Sequence, residues 1–398
     1  MSLTFHWFLP TNGDGRDIVG GGHGVATGAA GAIRTPSVKY LGQIARSAEQ
    51  LGFEGALTPT GAWCEDAWLT TAMLTEVTER LKFLVAFRPG QISPTLAAQM
   101  AATFQWQSQG RLMLNVVTGG ESIEQRAFGD FLPKQDRYAR CGEFLDIVRQ
   151  LWTSDDPVTV SGEHLRVEQA SLARRPDPRP AVFFGGSSPD AGQVAARFAD
   201  TYLTWGEPPA QVGEKLDWIR GLATAQGREL SCGIRLHVIS RDTSEQAWAE
   251  AQRLLSALDP QTVAAAQQSL ARSESEGQRR MRELHGGGGD FGVGADARRL
   301  EIYPNLWSGV GLVRGGAGTA LVGSHQEVAD RITEYAELGL EHFILSGYPH
   351  LEEAYIFGEG VRPILAQRGL LGDAADSGRA KEPVRSAFLS HVGDVSAS

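Results

Sequence analysis

The sequence predicts an α/β fold, a (β/α)8 TIM barrel, from two patterns that run along its 398 residues. Short, almost continuously apolar runs recur eight times, and most are followed by an amphipathic stretch of helical length. Such alternation is typical of a parallel sheet covered by helices. Eight units close naturally into a barrel, and no GxGxxG motif follows the first run. The pattern therefore favours a barrel over a doubly wound sheet.

Each predicted strand is one of these apolar runs, and each predicted helix is the amphipathic stretch that follows. The strands are predicted at residues 4–9, 55–58, 81–86, 112–117, 181–184, 201–203, 233–239 and 343–345. The helices are predicted at 37–51, 67–78, 94–107, 137–152, 189–199, 210–225, 245–257, 326–338 and 351–366. In a barrel, residues just past the carboxyl ends of the strands form the active site.

One domain is predicted over residues 1–372, with two departures from a minimal barrel. Residues 20–31 are rich in glycine and are predicted to form a flexible loop near the barrel mouth. Residues 259–318 are predicted to form an insertion that is first helical and then mobile, at the position of a lid. Residues 373–398 are polar, lack periodicity and are predicted to be a flexible C-terminal tail.

Composition excludes several classes of protein. Lys plus Arg number 37 and Asp plus Glu number 47, a net charge of −10 that argues against binding duplex nucleic acid or anionic membranes. The three cysteines are odd in number and widely spaced, which disfavours a disulfide framework and favours a reducing cytoplasm. No apolar run reaches about 18 residues, so no membrane span is predicted. No metal-ligand spacing occurs, and no metal site is predicted.

Three basic side chains are predicted to gather at the barrel mouth. Arg235 and His237 are two apart in a strand and share a face, and Arg314 stands in a loop flanked by glycines. Without a matching acidic pair, they suggest a small oxyanion such as a sulfonate or a phosphate. A structural ion pair for the strand residues and a surface position for Arg314 are the alternatives.

A second cluster is suited to phosphate. Ser187 and Ser188 follow two glycines at a predicted helix start, where free backbone N–H groups bind phosphate well. Arg137 and Tyr138 begin another helix, where they could meet a phosphate and stack on a ring. Ordinary helix caps are the alternative for both pairs. Cys64 has no cationic neighbour within three residues, and its local sequence favours a small buried residue over a nucleophile.

Longer motifs carry a family resemblance that covers about residues 3 to 366. They are WFLPTNGDG (7–15), PTGAWCEDAW (59–68), RLKFLVAFRPG (80–90), NVVTGG (115–120), FGGSS (184–188), YLTWGEPP (202–209), GIRLHVI (233–239), SEGQRRM (275–281), NLWSGVGLVRGGAGTALVG (305–323) and SGYPHLEEAY (346–355). The chain resembles the alkanesulfonate monooxygenases, the desulfonating branch of the bacterial-luciferase-like superfamily. Asn12 departs from the pattern, because the family usually has histidine there.

The resemblance implies a metal-free monooxygenase that uses FMNH2 and O2 as cosubstrates and converts alkanesulfonates to an aldehyde and sulfite for sulfur acquisition. It implies a separate NAD(P)H:FMN reductase as partner and a homodimer or homotetramer. Another organosulfur substrate, or deazaflavin-dependent hydride transfer on the same barrel, are the alternatives. The motifs assign to the sulfonate site Arg235, His237, Trp205, Tyr348, His350, Cys64 and the loop residue Arg314. They assign to the flavin Asn115, Arg137, Tyr138, Ser187 and Ser188.

Overall fold

The computed structural model describes residues 2–18, 34–286 and 295–372. The predicted glycine-rich loop 20–31 and the predicted tail 373–398 lie outside the described residues. Within them the strands are β1 (Thr4–Phe8), β2 (Gly55–Thr58), β3 (Lys82–Phe87), β4 (Leu112–Val116), β5 (Val158–Ser161), β6 (Arg166–Ala170), β7 (Ala181–Gly185), β8 (Thr201–Trp205), β9 (Ser231–Arg241), β10 (Glu301–Tyr303), β11 (Leu306–Trp307), β12 (Ala320–Ser324) and β13 (His342–Ser346).

The helices of the same residues alternate with these strands. They are α1 (Val38–Gln50), α2 (Ala67–Leu74), α3 (Pro94–Ser108), α4 (Ser122–Ala127), α5 (Lys134–Thr153), α6 (Pro189–Phe198), α7 (Pro209–Thr224), α8 (Ser244–Ser256), α9 (Pro260–Leu270), α10 (Glu276–Leu284), α11 (His325–Glu337) and α12 (His350–Gln367). Side chains cap many of their starts. Ser188 accepts a hydrogen bond from Ala191 N at α6, and Ser324 and Glu327 form a capping box at α11.

Eight parallel strands close into a barrel, which confirms the predicted fold class. Their order is β1, β2, β3, β4, β7, β8, β9 and β13, and β13 pairs with β1 to complete the circle. Each of the eight predicted apolar runs overlaps one barrel strand, with ends that differ by no more than two residues. The carboxyl ends of all eight strands therefore meet at one mouth.

Three features of the sheet were not predicted from sequence. An antiparallel hairpin, β5–β6, stands apart from the barrel and follows α5. Strand β9 is 11 residues long, and its second half pairs with β12 beyond the point where β8 ends. β12 in turn carries the short antiparallel strands β11 and β10. These strands and the helices α9 and α10 occupy the predicted insertion, so much of its second half is strand and buried loop.

Side chains of alternating strand positions pack on two sides of the barrel wall. Phe5 and Trp7 of β1 belong to the large core between strands and helices. Phe8 belongs to a smaller cluster inside the barrel, together with one residue from each of six other strands: Leu57, Leu84, Met113, Phe183, Leu203 and Ile344. A third cluster joins α8 and α9 to the loop that follows β11. The interior cluster forms an apolar floor below the mouth.

The described part of the chain contains no helix long and apolar enough to cross a membrane. The same residues contain no group of three or more His, Cys, Asp or Glu side chains placed to hold a metal ion.

Candidate active site

A cavity of about 220 Å³ lies at the carboxyl ends of the barrel strands. Its wall includes residues of all eight barrel strands and of the loops that follow several of them, and it is completed by the start of α10 and the loop at residues 314–317. Seven of the residues predicted from sequence line it, namely Asn115, Tyr138, Ser187, Ser188, Trp205, Arg235 and Arg314. The position agrees with the rule that barrel enzymes carry their sites at this face.

Two buried arginines meet over one ring at the cavity floor. Cζ of Arg235 lies 4.8 Å, and Cζ of Arg314 lies 5.2 Å, from the centre of the Phe8 ring. Both side chains are buried, and no carboxylate among the described residues lies within ion-pair distance of either one. Burial, together with the neighbouring Arg314, lowers the pKa of Arg235 to about 9. Two buried positive charges without a carboxylate partner among the described residues favour an anionic ligand.

A chain of hydrogen bonds fixes Arg235 and His237. Nη2 of Arg235 donates to Ser346 Oγ at 2.8 Å, and this hydroxyl lies 2.8 Å from Nδ1 of His237. Because a guanidinium can only donate, Ser346 accepts from Arg235 and donates to His237. Nε2 of His237 then carries the hydrogen and donates to Ala317 O at 3.2 Å. Burial and the charges of Arg235 and Arg314 lower the pKa of His237, so the ring is neutral.

The loop that carries Arg314 is closed over the cavity and held from three sides. Ala317 accepts from His237 of β9, and Gly316 N donates to Gln278 Oε1 of α10 at 2.8 Å. Gln267 of α9 donates to the carbonyls of Gly311 and Leu312. Residues 306–323 are all buried. The insertion helices therefore position the arginine that the sequence placed in a mobile segment.

Tyr348 and His350 stand beside this cluster but outside the cavity wall. The Tyr348 ring stacks on His237 at 5.6 Å between centroids, and it meets His350 edge to face at 5.2 Å. Burial raises the pKa of Tyr348 despite the nearby Arg314 and Arg235, so its hydroxyl stays protonated. The His350 ring also lies 5.7 Å from that of Phe8.

Cys64 is a protonated thiol. It is partly buried between α2 and the end of β2, and its Sγ donates to the carbonyls of Pro59 and Gly61 at 3.7 and 3.5 Å. Burial raises the pKa of the thiol to about 12. A thiol with this pKa is a weak nucleophile at neutral pH. The structure therefore agrees with the local sequence, which disfavoured a nucleophile.

The predicted phosphate cluster lies at the opposite side of the mouth. Ser187 and Ser188 precede α6, and Thr118 and Ser188 lie beside the Tyr138 hydroxyl, whose pKa burial raises. The bare backbone of Gly119, Gly120, Gly185 and Gly186 forms the adjacent wall. Glycines leave room for a flat ligand against the main chain, and the start of α6 suits a phosphate.

Arg137 does not line the cavity. Its guanidinium donates to the carbonyls of Leu132 and Gly119, and it lies 3.6 Å from Glu274. The side chain thus supports the loop after β4 from behind. It is buried, whereas an ordinary helix cap would be exposed. Arg137 would therefore act on a ligand indirectly, by holding the backbone of Gly119, which lines the cavity.

Several site residues were not singled out from sequence. Ser346 joins Arg235 to His237, and Phe8 lies under both arginines. Lys215 of α7 reaches the cavity wall while it pairs with buried Glu207 at 2.8 Å. Arg280 of α10 pairs with the same carboxylate at 2.6 Å and anchors that helix. Ser346 directly follows the strand predicted at 343–345, which is the one signal in the sequence that could have indicated it.

The closed barrel and the cavity at its carboxyl-end mouth define a barrel enzyme. Comparison with known families matches residues 3–342 to the model described as luciferase-like monooxygenase. The chain belongs to this luciferase-like monooxygenase family, whose members are flavin-dependent monooxygenases.

Solved structures share the fold at low sequence identity. A riboflavin lyase with modified FMN and riboflavin has a TM-score of 0.76 at 21% identity, covering 94% of this chain and 93% of that one. DmoA from Hyphomicrobium sulfonivorans has a TM-score of 0.74 at 19% identity, covering 94% and 89%. An F420-dependent secondary alcohol dehydrogenase has a TM-score of 0.64 at 18% identity, covering 92% and 99%.

Proposed function

We propose that the chain is an FMNH2- and O2-dependent monooxygenase that desulfonates alkanesulfonates to an aldehyde and sulfite for sulfur acquisition. The observation that carries the proposal is the pair of buried arginines, Arg235 and Arg314, without a carboxylate partner among the described residues. A sulfonate supplies one negative charge spread over three acceptor oxygens, which suits two guanidinium groups.

The apolar floor suits the rest of the substrate. Phe8, Leu57, Leu203 and Ile344 line the cavity next to the arginines. An alkyl chain would bury apolar surface there, at about 25 cal/mol per Å². An inorganic anion would leave this surface uncovered. The combination therefore favours an organic anion over free sulfate or phosphate.

The remaining wall fits FMN. Ser187, Ser188 and Tyr138 would hold the phosphate at the start of α6, and Asn115 and Trp205 line the same cavity. The glycine walls at Gly119–Gly120 and Gly185–Gly186 leave space for a planar ring. When bound in reduced form, FMN with O2 supplies the oxygen atom and the electrons. One sulfonate, one O2 and one FMNH2 then give one aldehyde, one bisulfite, one FMN and one water.

The chain's own residues bind, orient and exclude water. Arg235 and Arg314 would hold the sulfonate, and Ser346 with His237 keeps Arg235 in place. The buried loop 306–323 closes the cavity against solvent, which limits the wasteful release of hydrogen peroxide. Tyr348 offers a protonated hydroxyl beside the arginines.

The proposal includes partners and location. A separate NAD(P)H:FMN reductase would supply FMNH2, as the resemblance to the alkanesulfonate monooxygenases implies. A homodimer or homotetramer is supported by large apolar side chains that are exposed on α2, α3 and around α4, among them Leu69, Met73, Leu96, Ile123 and Phe131. The cysteines Cys64, Cys141 and Cys232 are free thiols, which supports a cytoplasmic location.

Sulfite release tests the proposal. The purified chain is mixed with a flavin reductase, NADH, FMN and a series of alkanesulfonates from one to about ten carbons, and sulfite and O2 are measured. Sulfite that requires FMN, O2 and the chain supports the proposal. Absence of sulfite from every sulfonate refutes it, and the same assay with other organosulfur compounds tests that alternative.

A deazaflavin-dependent oxidoreductase is the second candidate, and the structural likeness to an F420-dependent alcohol dehydrogenase favours it. Absorbance separates the two, because oxidation or reduction of F420 without O2 uptake would support the second candidate. An anaerobic titration adds a further test. We expect reduced FMN to bind more tightly than oxidised FMN, and the purified chain to carry little flavin. A chain that stays stoichiometrically yellow through dialysis would contradict this expectation.

A further inference from the structure

Arg88 is a buried arginine in the cavity wall, apart from the side chains that would hold the sulfonate and the phosphate. It directly follows β3, lines the cavity and is 6% exposed. Its Nη2 donates to Oε2 of Glu124 in α4 at 2.6 Å. Its Nε and Nη1 are buried and have no hydrogen-bond partner among the described residues. Buried donors without a partner are costly, so these N–H groups favour a ligand that brings acceptor atoms.

Glu124 lines the same cavity and offers acceptors beside these donors. Its side chain is 11% exposed. Oε1 accepts from the backbone N–H of Ala62 at 2.8 Å, and Oε2 accepts from Arg88. Both of these partners can only donate, and each carboxylate oxygen can accept a second hydrogen bond. The two side chains therefore present donors and acceptors together at one place in the cavity wall.

The charge of this ion pair differs from that of the two arginines over Phe8. Glu124 balances the charge of Arg88, whereas Arg235 and Arg314 have no carboxylate within ion-pair distance among the described residues. A pair without net charge has little electrostatic attraction for an anion. Its unused hydrogen-bonding groups instead suit a neutral ligand group that contains both acceptors and a donor.

The ion pair lies next to the glycine wall that leaves space for a planar ring. The backbone N–H of Val117 donates to the carbonyl of Phe87 at 3.0 Å, which joins the loop after β4 to the end of β3. Gly119 of that loop packs closely on α4, because a Cβ built on it would lie 2.0 Å from Nε2 of Gln125, the neighbour of Glu124. The ion pair and the glycine wall therefore belong to one side of the cavity.

The imide edge of a flavin ring has the complementary pattern. Its two ring carbonyls accept hydrogen bonds, and the N3–H between them donates one. We propose that Arg88 and Glu124 bind this imide edge, with Arg88 donating to a ring carbonyl and Glu124 accepting from N3–H. The inference rests on the proposed function only in that a flavin occupies the cavity.

Anaerobic titration with two flavins tests the contact of Glu124. The analogue 3-methyl-FMN keeps both carbonyls but has a methyl group in place of the N3 hydrogen. In reduced form it should bind the parent chain roughly tenfold more weakly than reduced FMN, because the donor to the carboxylate is lost. In Glu124→Leu the two flavins should bind within about threefold of each other, because the carboxylate is absent. Quenching of tryptophan fluorescence measures these affinities and needs no turnover.

Arg88→Lys tests the contact of the arginine. Lysine can keep the ion pair with Glu124 but lacks the planar fork of further donors, so reduced FMN should bind roughly tenfold more weakly. The matched control is Arg140→Lys. Arg140 pairs with Asp130 and has a buried Nε without a partner among the described residues, but it does not line the cavity. This control should bind FMN as the parent does.

Three results would each overturn the proposal. They are equal affinity of the parent for the two flavins, FMN affinity of Arg88→Lys within about threefold of that of the parent, and equal losses in the two lysine variants. Where Glu124→Leu fails to fold, the lysine variants decide.

The titrations also separate this inference from the proposed reaction. If the parent binds F420 instead of FMN, the lysine variants are compared with F420, because a deazaflavin has the same imide edge. A parent that binds neither cofactor overturns the inference as well. Because no titration contains a sulfonate, absence of sulfite in the turnover assay refutes the proposed reaction and leaves the binding result to decide the role of Arg88.

Discussion

Replacing Arg235 by methionine should separate ligand binding from stability, because its charge is buried without an acidic partner. The substitution keeps an unbranched side chain over the Phe8 ring and removes the charge. It also removes the donor to Ser346, whose hydroxyl can still donate to His237. The substitution leaves no buried carboxylate without a cation among the described residues, so the variant should keep the packing of the parent.

The expected loss of activity follows from the geometry. Arg235 is preorganised by Ser346 and by two main-chain carbonyls, and its side chain is buried. Loss of one preorganised donor to a developing charge costs about 3–4 kcal/mol, or roughly 100- to 1000-fold in kcat/KM. Arg235→Lys should recover part of this loss, since an ammonium restores the charge but not the planar fork.

The expected change in stability has the opposite sign. Burial and Arg314 lower the pKa of Arg235 from its usual value to about 9, which means that folding destabilises its charged form. The cost is on the order of a few kcal/mol. Arg235→Met should therefore raise Tm by several degrees when no ligand is present. An alkanesulfonate should raise the Tm of the unmodified chain and have little effect on the variant.

Arg241→Met is the matched control on the same strand. Arg241 pairs with buried Glu353 at 2.7 Å, and its loss leaves that carboxylate without a cation. This variant should lose about 3–5 kcal/mol of stability. Thermal unfolding and sulfite release on the three chains decide the matter. Normal sulfite release by Arg235→Met, or a lower Tm than the parent, would refute the reasoning.

Three further predictions follow from contacts in the described residues. Arg314→Ala should keep FMN binding within about threefold, measured by titration, but abolish sulfite release and divert O2 to hydrogen peroxide. The reason is that the charge of Arg314 acts on the substrate in the closed cavity. Sulfite release close to that of the parent would make Arg314 an ordinary loop residue. Cys64→Ser should change kcat by less than about fivefold. Iodoacetamide should label Cys64 slowly at pH 8, because the pKa of the thiol is raised to about 12. Rapid labelling would contradict the assignment of Cys64 as a protonated thiol. A ring nitrogen of His342 lies 3.1 Å from one of His6, and burial lowers the pKa of His342 to about 4. The unfolded chain therefore binds one more proton than the folded chain between about pH 6.5 and pH 4. The free energy of unfolding falls as the pH is lowered through this range. His342→Leu should make this loss shallower by about 1.4 kcal/mol per pH unit, measured by urea unfolding, and an unchanged slope would exclude His342 as a source.

The barrel could be predicted because each of its strands has a strong local signal. A strand buried on both faces must be apolar along its length, and a helix over it must be amphipathic. The hairpin β5–β6 lacks such a signal, because Arg166 and Glu168 of β6 are exposed and carry charge. β10 and β11 are three and two residues long, too short for any period to appear. Tertiary pairing with β12 determines them instead.

The insertion shows the limit of glycine as a signal. The glycines between residues 309 and 318 predicted mobility, but a Cβ at Gly309 would clash with Trp307, and one at Gly318 would clash with the backbone of Gly311. At these two positions glycine permits close packing. The amides of Gln267 and Gln278 supply the hydrogen bonds that order the loop. Neither residue has a sequence pattern that would separate it from a solvent-exposed glutamine.

The role of a buried charged residue depends on its ion-pair and hydrogen-bond partners, and these partners come from distant parts of the chain. Arg235 and Arg241 lie on one strand, six residues apart, and the sequence shows one inside a predicted apolar run and the other two residues beyond it. Glu353 from α12 pairs with Arg241. Among the described residues, the Arg235 side chain contacts Ser346, main-chain carbonyls and the Phe8 ring, and it lies near Arg314. The sequence could place Arg235 at the mouth because strand direction is local information. The lack of a carboxylate partner for Arg235 among the described residues depends on every element around the mouth, and the proposed anion site rests on that lack.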